Sequence, residues 1–292
     1  MPLADELLDP PFLPQLLQDG VPDPAYPVST PIDPTYPGQT RDPLAAPLDE
    51  IATPSMWSRL AHPLEHTLVE IWETLGLLDR ARPTGWVAIH YGRIALNAHV
   101  WERLRARIAG VAPDPNLVEP SQGFAASLPE RFEALRARLR VGKLDRRLQQ
   151  ACERRERALE RLSALDPGEL DAGELARGPL DDRTWTEILL PWLGESLYES
   201  GEAETDAVLR AAIGLEQHCN AELGLRLAAR RTLATASQVA YLTVDERIRA
   251  VLDGSSEWAE LAALRQERVE QFAKFDVPRV FWGRPRPELE KA

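Results

Sequence analysis

Two histidines, His62 and His66, lie four residues apart, a spacing that could bind a transition metal. In a helix, residues i and i+4 project from the same face, so both imidazoles could coordinate one ion. The residues between them, Pro-Leu-Glu, do not complete the HExxH pattern of zinc hydrolases. We therefore interpret the two histidines as a surface pair and predict no metal ligand in this chain.

Three carboxylates, Asp181, Asp182 and Glu187, form a second candidate site. Their spacing resembles the Asp-rich motifs of terpene synthases, whose hard oxygen ligands hold Mg²⁺ against a diphosphate. A second motif of the NDxxSxxxE type is absent from the sequence. Carboxylates are also favoured at the start of a helix, because the helix dipole is positive there. Helix capping is the preferred interpretation, and a Mg-dependent terpene-synthase-like enzyme is kept as a second alternative function.

Other catalytic signatures are missing. The chain has no GxGxxG, P-loop or GxSxG sequence, and His218 is too close in sequence to Cys219 to act as its base. The only other cysteine is Cys152, and no CxxC spacing occurs, so a disulfide framework or structural zinc site is not expected. The residues alone therefore predict no catalytic residue and no cofactor in this chain.

The elements that must position these residues are mostly helices. Apolar residues recur at steps of three and four over three long stretches, 55–78, 127–165 and 181–234. The second stretch contains Gly142, where we predict a break. It carries an excess of Lys and Arg, whereas 165–206 carries an excess of Asp and Glu. These two regions could attract each other, form separate solvated faces, or orient a partner protein.

The C-terminal stretch 239–287 predicts a short apolar strand from Val239, followed by two capped helices and a Pro-rich exit. Thr243 and Glu246 have the spacing of a capping box, in which each side chain binds the other residue's backbone N–H. Ser256 is placed to cap the last helix. The apolar face predicted for that helix comprises Ala259, Leu261, Leu264 and Phe272.

Strand patterns are few. Residues 86–98 alternate around Gly92-Arg93 and predict a β-hairpin, the only β element expected before a short C-terminal strand. Twelve of the 25 prolines fall within residues 1–53, which we predict to be an extended arm on the domain surface, pinned by Phe12, Tyr26 and Tyr36. The predicted fold is therefore mainly α: a multi-helix domain at 54–292 with one small β-hairpin and a short C-terminal strand, preceded by an extended Pro-rich N-terminal arm.

Charge and hydropathy narrow the class of protein. A net charge of −12 argues against autonomous binding of nucleic acid, which depends on a positive surface. No apolar run approaches the roughly 20 residues that cross a bilayer, and the first residues lack a basic segment followed by an apolar core. We therefore expect no nucleic-acid partner, no membrane partner and a cytoplasmic location.

Four segments, in order and at similar spacing, resemble the central domain of phosphoenolpyruvate-synthase-like dikinases, especially rifampicin phosphotransferase. Residues 53–57 (TPSMW) resemble the family's TP-x-x-W start of its first long helix. Residues 91–97 (YGRIALN) resemble its GR-x-Y-x-N hairpin, with Ala95 in place of the usual Tyr. Residues 242–246 (LTVDE) resemble its DVFyLTxDEL segment, although Gln238 and Ala240 depart from it, and residues 264–285 resemble its RR-x-E helix and Pro/Gly-rich exit.

The resemblance implies a function for the chain. In this family an ATP-grasp domain binds ATP, a swivelling domain carries a phosphohistidine, and the central domain binds the acceptor. The resemblance covers only the central domain, which implies an acceptor-substrate-binding subunit of a split phosphotransferase, not catalytic alone. ATP and Mg would then belong to partner ATP-grasp and phosphohistidine-domain proteins. The alternative from another class is a non-catalytic interaction or scaffold protein, marked by a large exposed apolar patch instead of a pocket.

The acceptor is expected to be an apolar small molecule held in an aromatic-rich pocket. The four aromatic candidates could equally be ordinary core residues, and the two polar candidates from the hairpin could equally anchor its turn. The substrate-binding candidates are Trp57, Trp72, Tyr91, Arg93, Asn97 and Trp101.

Overall fold

The computed structural model describes residues 25–27, 29, 32, 37–40, 53–77, 85–109, 128–198, 203–277, 280–282 and 288–289. The helices in these ranges are α1 (Pro54–Thr74), α2 (Ala98–Ala109), α3 (Leu128–Ser163), α4 (Ala172–Arg177), α5 (Asp182–Leu197), α6 (Ala203–Ala229), α7 (Val244–Asp253) and α8 (Glu257–Phe272), with a 3₁₀ helix at Ala236–Tyr241. The strands are β1 (Pro37–Thr40), β2 (Val87–His90), β3 (Arg93–Asn97), β4 (Phe275–Asp276), β5 (Val280–Trp282) and β6 (Glu288–Leu289). The mainly α fold, the β2–β3 hairpin and short C-terminal strands confirm the predicted fold class. The strand predicted to start at Val239 is wrong, since Val239 lies in the 3₁₀ helix and the C-terminal strands follow α8.

The hairpin belongs to a larger sheet. Four antiparallel strands lie in the order β2-β3-β1-β5, so β1, from the Pro-rich segment, pairs on both sides. The prediction that the hairpin is the only β element before the C-terminal strand is therefore wrong. Local pattern could not reveal β1, because its residues Pro-Gly-Gln-Thr do not alternate and its stability comes from its two neighbours. Gly38 faces Phe281 so closely that a Cβ atom would lie 2.4 Å from the ring, which only glycine avoids.

Other described parts of the Pro-rich segment are also buried. Ala25 and Tyr26 are fully buried in the main core. Ser29 accepts a hydrogen bond at its Oγ from the backbone N–H of Ile89, 2.9 Å away. Tyr26 therefore does pin this segment to the domain, whereas Phe12 and Tyr36 lie outside the described residues.

Helix α1 is the central element of the main core. Thr53 accepts a hydrogen bond from the N–H of Met56 at 3.4 Å, and Pro54 occupies the first turn, where its missing N–H costs nothing. A second proline, Pro63, lies inside the helix, and its carbonyl accepts a hydrogen bond from the Thr67 hydroxyl at 2.7 Å. Helix α1 packs against α5, and α3 packs against both. These three helices form the walls of the cleft described below.

Helix α3 runs through Gly142 without the predicted break. A glycine inside a helix costs only about 1 kcal/mol relative to alanine. Packing outweighs that cost, since Leu144 is buried two residues later and α3 contacts α5 along its length.

The C-terminal helices confirm one cap and correct the other. The Thr243–Glu246 capping box is present, with Thr243 N–H donating to Glu246 Oε2 at 2.8 Å. Ser256 makes no side-chain cap; instead Ser255 Oγ accepts from the N–H of Glu257 at 3.2 Å.

The apolar face predicted for α8 is confirmed at Phe272 but is wrong at Leu264. Leu264 is 63% exposed, and the buried residues of the helix are Ala262, Arg265 and Phe272. A polar side chain takes the inner face because both guanidinium Nη atoms of Arg265 bind the carboxylate of Glu246 on α7. An apolar pattern could not reveal this arrangement, which depends on two different helices.

A second core lies between α4, α6, the 3₁₀ helix, α7 and α8. Its members include Cys219, Leu223 and Leu227 of α6 and Leu242 just before α7. Within the described part of the chain, no helix is both long enough and apolar enough to cross a membrane.

Candidate functional site

The four aromatic candidates lie in the main core. Trp57, Trp72, Tyr91 and Trp101 are all buried, with Trp57 and Trp101 each 1% exposed. Trp72 meets Trp86 edge-on with ring centroids 5.3 Å apart. Tyr91 likewise meets two phenylalanine rings edge-on, at 5.3 and 5.9 Å. These contacts are the ordinary geometry of packed aromatic residues.

The two polar candidates sit at the ends of the hairpin strand β3. Arg93 is exposed beside the turn, where Tyr91 and Gly92 both have positive φ, as a two-residue hairpin turn requires. Asn97 is buried, and its Oδ1 accepts a hydrogen bond from the N–H of Val100 at 3.3 Å, at the start of α2. Neither these two residues nor the four aromatics belong to the cleft between α1, α3 and α5.

This cleft has a volume of about 580 Å³. Helix α3 forms one wall, and the residues it contributes follow steps of four, three, one and three, so they share one helix face. Those residues are Lys143, Arg147, Gln150, Ala151 and Arg154. The opposite walls come from α1 and α5, which contribute His62, Pro63, His66, Glu70, Asp182, Arg183, Thr186, Glu187 and Leu190.

Ion pairs cross the cleft from α3 to its neighbours. Arg147 pairs with Glu70 of α1, and Arg154 Nη1 lies 3.6 Å from Glu187 Oε1 of α5. The same Glu187 oxygen also lies 3.4 Å from Nε of Arg183. Of the three alternatives for the basic and acidic regions, attraction is therefore seen in the Arg154–Glu187 pair between α3 and α5. Lys143 has no ion pair within the described ranges.

The candidate metal ligands have other partners. Asp181 accepts a hydrogen bond from the N–H of Thr184 at 2.8 Å, so the predicted N-cap of α5 is confirmed. Hydrogen bonding to the Thr184 side chain, and then to its N–H, lowers the pKa of the Asp181 carboxyl. Asp182, also exposed, lies 3.6 Å from Nδ1 of His62 and 3.5 Å from Nη1 of Arg59.

The two histidines line the cleft rim, and the His62 side chain is 78% exposed. Their ring centroids lie 6.2 Å apart. Among the residues that the structure describes, no three His, Cys, Asp or Glu side chains are grouped as a metal site requires.

A buried ion pair joins α6 and α7, outside the cleft lining. Glu216 of α6 and Arg247 of α7 are both fully buried, with Oε1 and Nη2 separated by 3.7 Å. That distance exceeds a hydrogen bond, and the side-chain nitrogens and oxygens of both groups have no hydrogen-bond partner in the described structure. Burial raises the pKa of Glu216, against the opposing effect of Arg247 and Arg59, and burial lowers the pKa of Arg247.

The sequence contained a signal for this pair. The buried residues of α6 fall at 208, 209, 212, 213, 216, 219, 220, 223, 224 and 227, a helical stripe that includes Glu216. A carboxylate on such a stripe indicates a buried partner of opposite charge. The partner itself, more than 30 residues away on α7, has no local signal.

Comparisons with protein-family models, curated proteins and solved structures find no match to this chain.

Proposed function

We propose that the chain is the acceptor-substrate-binding subunit of a split phosphoenolpyruvate-synthase-like phosphotransferase. It holds a small acceptor molecule in the cleft between α1, α3 and α5. Separate ATP-grasp and phosphohistidine-domain proteins bind ATP and Mg and deliver the phosphoryl group. The resemblance of residues 53–57, 91–97, 242–246 and 264–285 to the dikinase central domain supports this proposal.

The cleft is the observation that carries the proposal. Its volume of about 580 Å³ falls within the range of sites that hold small molecules. Its walls are three helices that pack on one another in the main core, so the cleft is part of the folded domain. Preformed walls bind a ligand with little loss of conformational entropy.

The lining favours binding over independent catalysis. Among the described lining residues, Thr186 carries a hydroxyl group. This hydroxyl donates a hydrogen bond to the backbone carbonyl of Asp182 at 2.8 Å. The cleft carboxylates are engaged by arginine or histidine side chains, as given above. These contacts suit the positioning of a ligand whose reactive phosphoryl group arrives from another protein.

This proposal places the acceptor away from the aromatic candidates. Trp57, Trp72, Tyr91 and Trp101 pack against other core side chains, and burial in such contacts leaves them to stabilise the fold. The acceptor therefore contacts the charged and aliphatic side chains of the cleft.

The test is isolation of the chain with its partners, followed by reconstitution. The tagged chain, expressed in its native host, should co-purify with proteins that carry an ATP-grasp domain and a phosphohistidine domain. With radiolabelled ATP, label should reach a small molecule from the host extract only when all components are present. Arg154→Glu should abolish this transfer, whereas Arg157→Ala, an exposed residue of the same helix outside the cleft, should not.

Two outcomes would contradict the proposal. Transfer of label to the same molecule without this chain would show that another subunit binds the acceptor. Stable binding of the partners without any labelled small molecule would favour the scaffold alternative.

A further inference from the structure

We infer that the ligand of the cleft is a small amphipathic anion, whose carboxylate or phosphate group lies against the cationic face of α3 and whose apolar part lies between the helices. This inference rests on the proposed function only where it identifies that ligand with the phosphoryl acceptor. It replaces the wholly apolar acceptor that the sequence suggested.

The cationic face of α3 supplies the anion-binding groups. Lys143, Arg147 and Arg154 line the same side of the cleft and are spaced four and seven residues apart. At 1.5 Å per residue, they span roughly 16 Å along the helix axis. A row of this length can place two cationic side chains around one carboxylate or phosphate group, which guanidinium groups bind strongly.

Acidic side chains pair with Arg147 and Arg154 but do not neutralise all the cationic residues of the cleft. Four cationic residues line the cleft against three acidic ones, and one of the acidic residues, Asp182, also contacts Arg59 outside the lining. Lys143 has no ion pair in the described structure. A charge excess in a partly enclosed cleft raises the local concentration of ligands of opposite charge.

The contacts of Glu187 show how an anion can bind in the cleft without leaving this carboxylate unpaired. Its Oε1 atom lies 3.6 Å from Arg154 and 3.4 Å from Arg183, so two guanidinium groups share it. If Arg154 turns toward a bound anion, Arg183 still pairs with Glu187. Ligand binding therefore does not leave Glu187, whose side chain is only 18% exposed, without a cation.

Aliphatic side chains complete the site. Ala151 lies on α3 between Arg147 and Arg154, and Pro63 and Leu190 face it from α1 and α5. Ala151 and Leu190 are each 5% exposed, so they form an apolar floor below the charged rim. An inorganic anion would leave these apolar side chains exposed to water and most of the 580 Å³ unfilled. An anion with an aromatic or aliphatic part would cover the side chains and fill the volume.

A set of probes with one shared apolar body separates these contributions. Naphthalene-2-carboxylate, 2-naphthyl phosphate, the neutral naphthalene-2-carboxamide and inorganic phosphate are titrated into the full chain, with binding measured by isothermal calorimetry. Both anionic naphthalene probes should bind at least about tenfold more tightly than the amide, since hydrogen bonds to charged groups exceed neutral ones by that order. The better of the two identifies carboxylate or phosphate as the preferred group, and inorganic phosphate should bind more weakly than either.

Substitutions then locate the site. Lys143→Ala and Arg154→Ala should each weaken binding of the better anion about tenfold and leave the amide unchanged. Arg157→Ala, exposed on the same helix and outside the cleft, is the matched control and should bind like the original chain. Circular dichroism of each variant confirms that α3 is intact.

Equal affinity for the amide and the anions, no binding of either anionic probe, or unchanged affinity in both cleft variants would overturn the inference. The outcome is distinguishable from failure of the proposed function. Cleft binding of anions without phosphoryl transfer in the reconstituted system rejects the phosphotransferase role alone. Transfer to a neutral acceptor keeps that role and rejects the anionic ligand.

Discussion

The buried pair of Glu216 and Arg247 gives the sharpest test of how this fold is held together. We consider Glu216→Leu, Arg247→Met and the double variant, in which apolar side chains replace the charged ones. Both charges are fully buried, and their nearest atoms are 3.7 Å apart. Arg59, which lies close enough to influence both groups, is itself 3.5 Å from Asp182, a residue that none of these variants changes.

The opposing free energies can be compared from this geometry. At 3.7 Å and an effective dielectric constant of about 20, Coulomb attraction contributes about 4 kcal/mol. Desolvation costs several kcal/mol for each ion. No hydrogen bond offsets that cost, because neither side chain has a hydrogen-bond partner in the described structure. Each single replacement strands one buried charge and should destabilise the fold by about 3–5 kcal/mol. The double variant strands neither, and should range from equally stable to about 4 kcal/mol more stable than the original chain.

Urea unfolding followed by circular dichroism measures these free energies at neutral pH. The reasoning would be refuted by a double variant that loses as much stability as the two single variants together. Such additivity would mean that each group is satisfied independently, for example by ordered water molecules that bridge the 3.7 Å gap.

The pair also predicts a pH dependence. Burial raises the pKa of Glu216 above its ordinary 4.5, so the folded chain binds this proton more tightly than the unfolded chain does. Stability from this group is therefore present at low pH and falls as pH rises above 4.5 through the raised pKa. In the double variant this contribution to the slope of unfolding free energy against pH should vanish. An identical slope in the original chain and the double variant would contradict the assignment of this pH dependence to Glu216.

Three further predictions concern neighbouring groups. Thr243→Ala removes one side of a capping box and should lower the free energy of unfolding by about 1 kcal/mol in urea titrations, while Thr243→Ser should retain most of it. Burial raises the pKa of Glu246, but hydrogen bonds from Arg265 and Thr243 outweigh the effect of burial and leave the pKa lowered. The stability that Glu246 contributes should therefore be lost as pH falls through that lowered pKa, as urea titrations at a series of pH values would show. The stability of Glu246→Gln should not change over the same pH range. Gly178→Ala should lower the melting temperature and cost more than about 1 kcal/mol, because Gly178 has φ +80° and its Cβ would lie 2.4 Å from Glu216 Oε1; unchanged melting would show that the carboxylate moves aside freely.

Much of the helical architecture could be predicted from the sequence, because its signals are local. The Asp181 and Thr243 caps each join a side chain to a backbone N–H three residues away, so spacing alone predicts them. The hairpin at 87–97 likewise needs only alternation and a turn of positive φ. Two predictions from weaker local signals are wrong: Gly142 does not break α3, and Ser256 does not cap α8.

The candidate site depended on contacts that spacing does not encode. Lys143 to Arg154 could be placed on one helix face, but nothing in their pattern showed that α1 and α5 enclose the space in front of them. The aromatic candidates for the pocket are predicted from residue type alone, and residue type does not distinguish a packed core from an open cleft.

The sequence by itself thus determined which segments become helices, where several begin, and that no familiar catalytic motif is present. Tertiary structure alone decided that β1 enters the sheet, that Glu216 meets Arg247, and that three helices leave a charged cleft. The physical reason is the distance along the chain between the residues that interact. Helix periodicity and capping act over three or four residues, whereas pairing, burial and cavities arise between segments that are distant in the chain.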